Sequence, residues 1–158
     1  MSTELERLEE QLKRSFEGEA WHGPSVLEAL ADVTAEEASA HPVADAHSIW
    51  ELVLHLGGTY RLVLRRLAGE DAQLAQTEDW PPVPALTEPN WRECVRSLKE
   101  LHRQVRDAVL RFDPARLDQP LSVVVPYTAY MQFIGITQHD LYHAGQIAIL
   151  KKAARAGR

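Results

Sequence analysis

The sequence predicts an all-α protein built on four long helices, and three observations carry that reading. Apolar residues recur at three- and four-residue intervals through most of the chain. Hydroxyl side chains followed three positions later by glutamate, the capping-box spacing, stand at Thr3/Glu6, Thr34/Glu37 and Ser48/Glu51. Runs that alternate with the period of a strand are lacking, and only Val123–Val125 reads as extended.

The elements follow in order. Thr3 and Glu6 open a first helix striped by Leu5, Leu8, Leu12 and Phe16, which stops near Gly18. "GPSVLEALADVT" starts a short helix at Pro24 or Ser25, and Thr34 with Glu37 starts another brief turn. Ser48 caps the second long helix, "HSIWELVLHLGGTYRLVLRRLAGE", with Gly69 as its stop. Residues 70–89, "EDAQLAQTEDWPPVPALTEP", turn polar and proline-rich. A link between adjacent antiparallel helices needs only a few residues, so this segment is read as a crossover loop running along or across the helices. The third helix carries Trp91, Val95, Leu98, Leu101, Val105, Val109 and Phe112, and Asp113-Pro114 ends it. The fourth runs from Ala129 to Ala153.

The chain of 158 residues, 45% of them apolar, is long enough to bury a core and short enough to be one domain, expected over residues 1–158. A formal net charge of −6 argues against nucleic acid as a partner, because phosphate neutralisation needs a basic face. Cys94 is the single cysteine, so no intramolecular disulfide supports the fold. The first residues, "MSTELERLEEQLKR", are acidic and lack the apolar core of a signal peptide. The most apolar stretch, 129–150, is interrupted by six polar groups, too many for a span facing lipid. A cytoplasmic protein without a membrane partner is expected.

The chemistry concentrates on the fourth helix. Gln132, Gly135, His139, His143, Gln146 and Leu150 fall along one narrow stripe of a helix that is otherwise largely apolar. A helix apolar nearly all round is buried, so the stripe is expected to point inward, where imidazoles and amides need partners. Two histidines at i and i+4 turn both rings toward one point, as when a helix supplies two metal ligands; a hydrogen-bonded core pair is the alternative. An open metal site needs a third protein ligand, and His22, His41, His47, His55 and His102 are the candidates. Spacing nominates His102, at the centre of the third helix's stripe, although a lone histidine there also reads as a packed core residue. His55 lies about 120° from the centre of its own helix's apolar stripe, on a flank that could face a second neighbour. Periodicity leaves the choice open.

"HSIWELVLHL" at 47–56 and "GITQHDLYHAGQIAILKK" at 135–152 resemble the DinB/YfiT-like superfamily of small bacterial helical proteins, and the similarity extends across most of the chain. The resemblance implies an up-up-down-down four-helix bundle holding a divalent metal, zinc or nickel, on His55, His139 and His143, with His102 left to packing. It also implies a homodimer and a small-molecule substrate. One branch of the family couples a low-molecular-weight thiol such as bacillithiol to electrophiles; others are described as metal-dependent hydrolases. A thiol-dependent S-transferase is therefore the leading expectation, ahead of a hydrolase and of a non-catalytic, stress-linked metal-binding protein.

Three neutral ligands leave the full charge on the ion, which favours an anion beside it, a thiolate or a hydroxide. Tyr142 and Gln146 flank the two ligands of the fourth helix and are expected to support them, with a helix–helix hydrogen bond as the equal alternative. Glu51, one turn before His55, is expected as a further supporting residue, with its capping role toward Ser48 as the alternative. Asp140, about 100° round the helix from His139, is read as support for the fold or for a ligand.

Overall fold

In the computed structural model, which describes residues 1–21 and 23–157, the regular elements are helices. The helices are α1 (Glu4–Phe16), α2 (Val26–Leu30), α3 (Ala35–Ser39), α4 (Ile49–Leu67), α5 (Gln76–Asp79), α6 (Glu88–Leu110) and α7 (Ala129–Ala156), with a 3-10 turn at Pro114–Arg116. Helices α1, α4, α6 and α7 are the four long ones. His22 lies outside the described residues.

Reciprocal capping boxes start the first four helices, with Thr3, Ser25, Thr34 and Ser48 each exchanging hydrogen bonds with the glutamate three residues on. Such a cap contributes about 1 kcal/mol by satisfying amides that the first helical turn leaves without partners. Helix α6 begins earlier than the Trp91 stripe suggests: Thr87 caps it, and Pro89 sits in its first turn, where a missing N–H costs nothing. Val123–Val125 form no strand. Instead the Asp71 carboxylate accepts hydrogen bonds from the Ser122 hydroxyl and from the amides of Val123 and Val124, which pins the segment as a loop.

Helix α4 packs against α6 and α7, and α1 packs against the same two from the other side. Leu12, Trp50, Leu56, Tyr60, Leu98, Val105, Phe133, Ile136 and Ile147 fill the space between them, each at most 2% exposed. Burying a large apolar side chain of this kind stabilises the fold by roughly 1.5–3 kcal/mol.

Residue pairs fix the directions. His55 meets His139, Tyr60 meets Asp140 and Arg66 meets Gln132, so α4 and α7 are antiparallel. Trp50 meets Trp91, and the Gly57 position faces Leu101, so α4 and α6 run the same way. Ser15 near the end of α1 bonds Asp140; just beyond, Gly18 lies by the Glu28 side chain of α2, and α2 lies on α7 by Lys151, so α1 runs with α7.

The order of directions is thus up-down-down-up, which corrects the expected up-up-down-down. Between α1 and α4, the short helices α2 and α3 cover one end of the packed helices, so the chain turns back there without a traverse. Among the described residues, only the segment between α4 and α6 runs the length of the molecule, as the crossover reading of that stretch anticipated.

Helix α7 is not buried all round: Met131, Tyr142 and Ile149 are more than half exposed. No helix of the described residues is long and apolar enough to cross a membrane.

Candidate metal centre

The antiparallel pairing of α4 and α7 places His55 opposite the His139–His143 turn. The three imidazoles converge, with one ligand atom from each lying within 4.8 Å of the others. Nε2 of His139 is 3.0 Å from Nε2 of His55 and 3.0 Å from Nε2 of His143. His143 is buried, while His55 and His139 are half-buried.

The outer nitrogens explain why the inner ones point together. Nδ1 of His143 donates to Oε1 of Gln146 at 2.6 Å. Nδ1 of His55 faces Oδ1 of Asp79 at 2.9 Å and the Asp79 carbonyl oxygen at 3.0 Å. A neutral imidazole whose Nδ1 donates keeps a lone pair on Nε2. Two lone pairs therefore face the third Nε2, that of His139. Nδ1 of His139 is buried and has no hydrogen-bond partner among the described residues. Burial, reinforced by the neighbouring charges of His143 and His55, pushes the His139 pKa down to about 3. Burial also holds His143 below its ordinary value. His139 and His143 thus resist protons where the three rings converge.

These features fit a divalent ion. Zinc bonds to imidazole nitrogen at roughly 2.0–2.1 Å, which puts tetrahedral ligand atoms about 3.3 Å apart. The observed separations need only small ring movements to meet that, and a bound cation would satisfy all three Nε2 atoms at once.

Asp79 and Trp80 were not anticipated from the sequence. They end α5 in the crossover segment, and the Trp80 ring lies flat on His55 at 4.2 Å and on His47 at 3.6 Å. Gly58 permits this approach: a Cβ there would stand 2.6 Å from the Glu78 carbonyl oxygen. A tryptophan inside an otherwise polar linker, "TEDWPPVP", is the signal that marks a docked loop.

The other expected residues separate. Gln146 holds His143, as above. Tyr142 touches the His143 ring edge-on at 5.0 Å and is 64% exposed, so it lines an open side. Glu51 does not reach the three histidines. Its carboxylate takes the Ser48 amide at 2.6 Å and His41 Nε2 at 3.1 Å, which makes it a cap. Gln132 accepts from Arg66 at 3.0 Å, so the lower part of the α7 stripe serves packing.

His102 stacks on Phe16 at 3.9 Å and donates from Nε2 to the Leu12 carbonyl at 3.1 Å, away from the cluster. Asp140, on a neighbouring flank of α7, points away from the cluster and accepts from the Tyr60 hydroxyl at 2.5 Å and the Ser15 hydroxyl at 3.0 Å. Burial pushes its pKa up to about 7 against those two hydrogen bonds.

Beside His143 opens a cavity of about 430 Å³. Leu52, Trp80, Tyr142, Ile149 and Leu150 supply apolar wall, and His47, Asp45 and Gln146 are its polar members besides His143.

A family model described as the DinB superfamily matches residues 20–147. No curated protein and no solved structure matches the chain.

Proposed function

Because this chain belongs to the DinB superfamily, with all three converging histidines inside the matched region, we propose that it binds zinc or nickel and acts as a thiol-dependent S-transferase. The observation that carries the reading is the inward set of three Nε2 atoms, two of them oriented by hydrogen bonds behind their rings. A divalent ion on three neutral imidazoles keeps its full charge and lowers the pKa of a thiol beside it.

The residues have separate tasks. His55, His139 and His143 hold the ion, while Asp79 and Gln146 fix the tautomers of His55 and His143. Trp80 covers His55 from the crossover side and limits water there. In the transfer itself, the sulfur gives its electron pair to an electrophilic carbon, the leaving group departs with the pair of the broken bond, and the thiol proton passes to solvent.

Transfer is preferred to hydrolysis because Glu51, Asp140 and Asp79, the carboxylates that flank the histidine motifs or bond to them, are not placed to serve as a base for water. Glu51 caps α4, Asp140 faces away, and Asp79 is committed to His55.

The test combines metal analysis with turnover. Purified protein is expected to carry close to one ion per chain, and His143→Ala to carry far less. Loss of an aryl halide is expected only when both metal and a low-molecular-weight thiol are present. Ester cleavage without thiol would replace the transferase by a hydrolase. Metal binding with neither reaction would leave a metal-binding protein without catalysis.

A further inference from the structure

The cavity beside His143 has a composition that selects its occupant. Its volume of about 430 Å³ lies in the range of small-molecule sites and suits a ligand of ~15 non-hydrogen atoms. Tyr142 and Ile149 are 64% and 65% exposed, large apolar groups left uncovered around one opening. Trp80 is a rigid wall, clamped between the rings of His47 and His55.

The charge pattern is one-sided. Asp45 lines the cavity, and no lysine or arginine does among the described residues. An anion entering here would lose hydration without finding a cation on the wall, a cost that an uncharged molecule avoids. Gln146 spends its amide oxygen on His143, which leaves its N–H2 group as a donor for a neutral acceptor such as a carbonyl.

We propose that this cavity binds the electrophilic partner of the transfer, an uncharged and mainly apolar molecule of aromatic size, between Trp80 and the Tyr142–Ile149 face. The assignment rests on the metal-site reading for its role in a reaction, and on the cavity alone for the class of ligand. Anionic portions of a thiol lie outside it.

The probes are 2-naphthamide and 2-naphthoate, which share a ring system and differ in charge. Binding is measured by calorimetry and tryptophan emission on the full chain, as purified and after chelator treatment, with metal content and helical circular dichroism recorded for each sample. The uncharged amide is expected to bind both forms. In the chelator-treated protein, where no ion can attract a carboxylate, 2-naphthoate is expected to bind at least about tenfold more weakly.

Ile149→Glu, at an exposed helix position on the cavity rim, is expected to weaken the amide at least about tenfold with metal content and helicity unchanged. Equal affinity for the two probes, or an Ile149→Glu variant that binds the amide as well as the parent, would overturn the proposal. Amide binding in a protein that never takes up metal would strike the metal reading and leave the ligand class standing. Full metal content with no amide binding would do the reverse.

Discussion

Oδ1 of Asp79 stands 2.9 Å from Nδ1 of His55, joining the crossover segment to α4 behind the ring that faces the other two histidines. Groups of this kind orient a metal-bound imidazole and raise its basicity, and their loss costs about 10- to 100-fold in metal affinity. Asp79→Ala is expected near the lower end of that range, because the Asp79 carbonyl oxygen at 3.0 Å remains as an acceptor. Competition against a chromophoric chelator measures it, and an unchanged affinity would remove Asp79 from the site.

Gly58→Ala tests whether the crossover must lie close. The added methyl would meet the Glu78 carbonyl oxygen at 2.6 Å, and backbone cannot yield as a side-chain tip does. The segment carrying Asp79 and Trp80 must move, at a cost of about 1–3 kcal/mol. Urea unfolding should show the loss of stability, and the chelator titration a parallel loss of metal affinity. A stability change alone would separate docking of the segment from support of His55.

His55→Ala and His102→Ala should fail in different ways. His102 is 1% exposed, stacked on Phe16 and bonded to the Leu12 carbonyl. Its truncation opens a cavity and is expected to cost about 2–4 kcal/mol while metal content stays the same. His55→Ala should keep most of the stability of the metal-free chain and lose the ion. Metal loss in His102→Ala at a pH where that variant is folded would reverse the assignment.

Acid titration offers two variants of opposite sign. Burial, with the Arg106 charge, depresses His102 to about 3 from an ordinary 6.5. Below about pH 6.5 the unfolded chain takes up that proton and the folded chain does not, so stability falls as pH drops. Asp140 behaves inversely: raised to about 7 from 3.8, it keeps its proton in the folded state after the unfolded state has lost it. Its contribution therefore falls as pH rises between those values. For metal-free protein, the stability at pH 5 relative to pH 7.5 should rise in His102→Gln and fall in Asp140→Asn, each compared with the parent. Urea midpoints at the two pH values decide it, and shifts of the same sign would refute the account.

Local rules made much of this molecule legible. The capping boxes at Thr3, Thr34 and Ser48 set helix starts that the structure keeps, because a cap depends on residues three apart. The His139–His143 pair was legible for the same reason, since one helical turn fixes their common face. What depends on long-range packing was harder to read. Periodicity could not choose between His55 and His102, because both sit on helices with apolar stripes and only the neighbour of each face separates them. The order of helix directions turned on whether residues 17–48 cross the molecule or cover its end. Asp79 and Trp80 act through a loop docked on Gly58, and no period announces a docked loop.

The pairing of His55 with His139 closes 84 residues of chain. No short peptide of this protein can present the three rings together, and a coordination shell exists only once α4 and α7 have met and the crossover has settled on them. An ion that binds only the finished arrangement lowers the native state without lowering the barrier approached from the unfolded side. Its effect then falls on the lifetime of the folded chain: chelation should speed unfolding while leaving the refolding rate where it was.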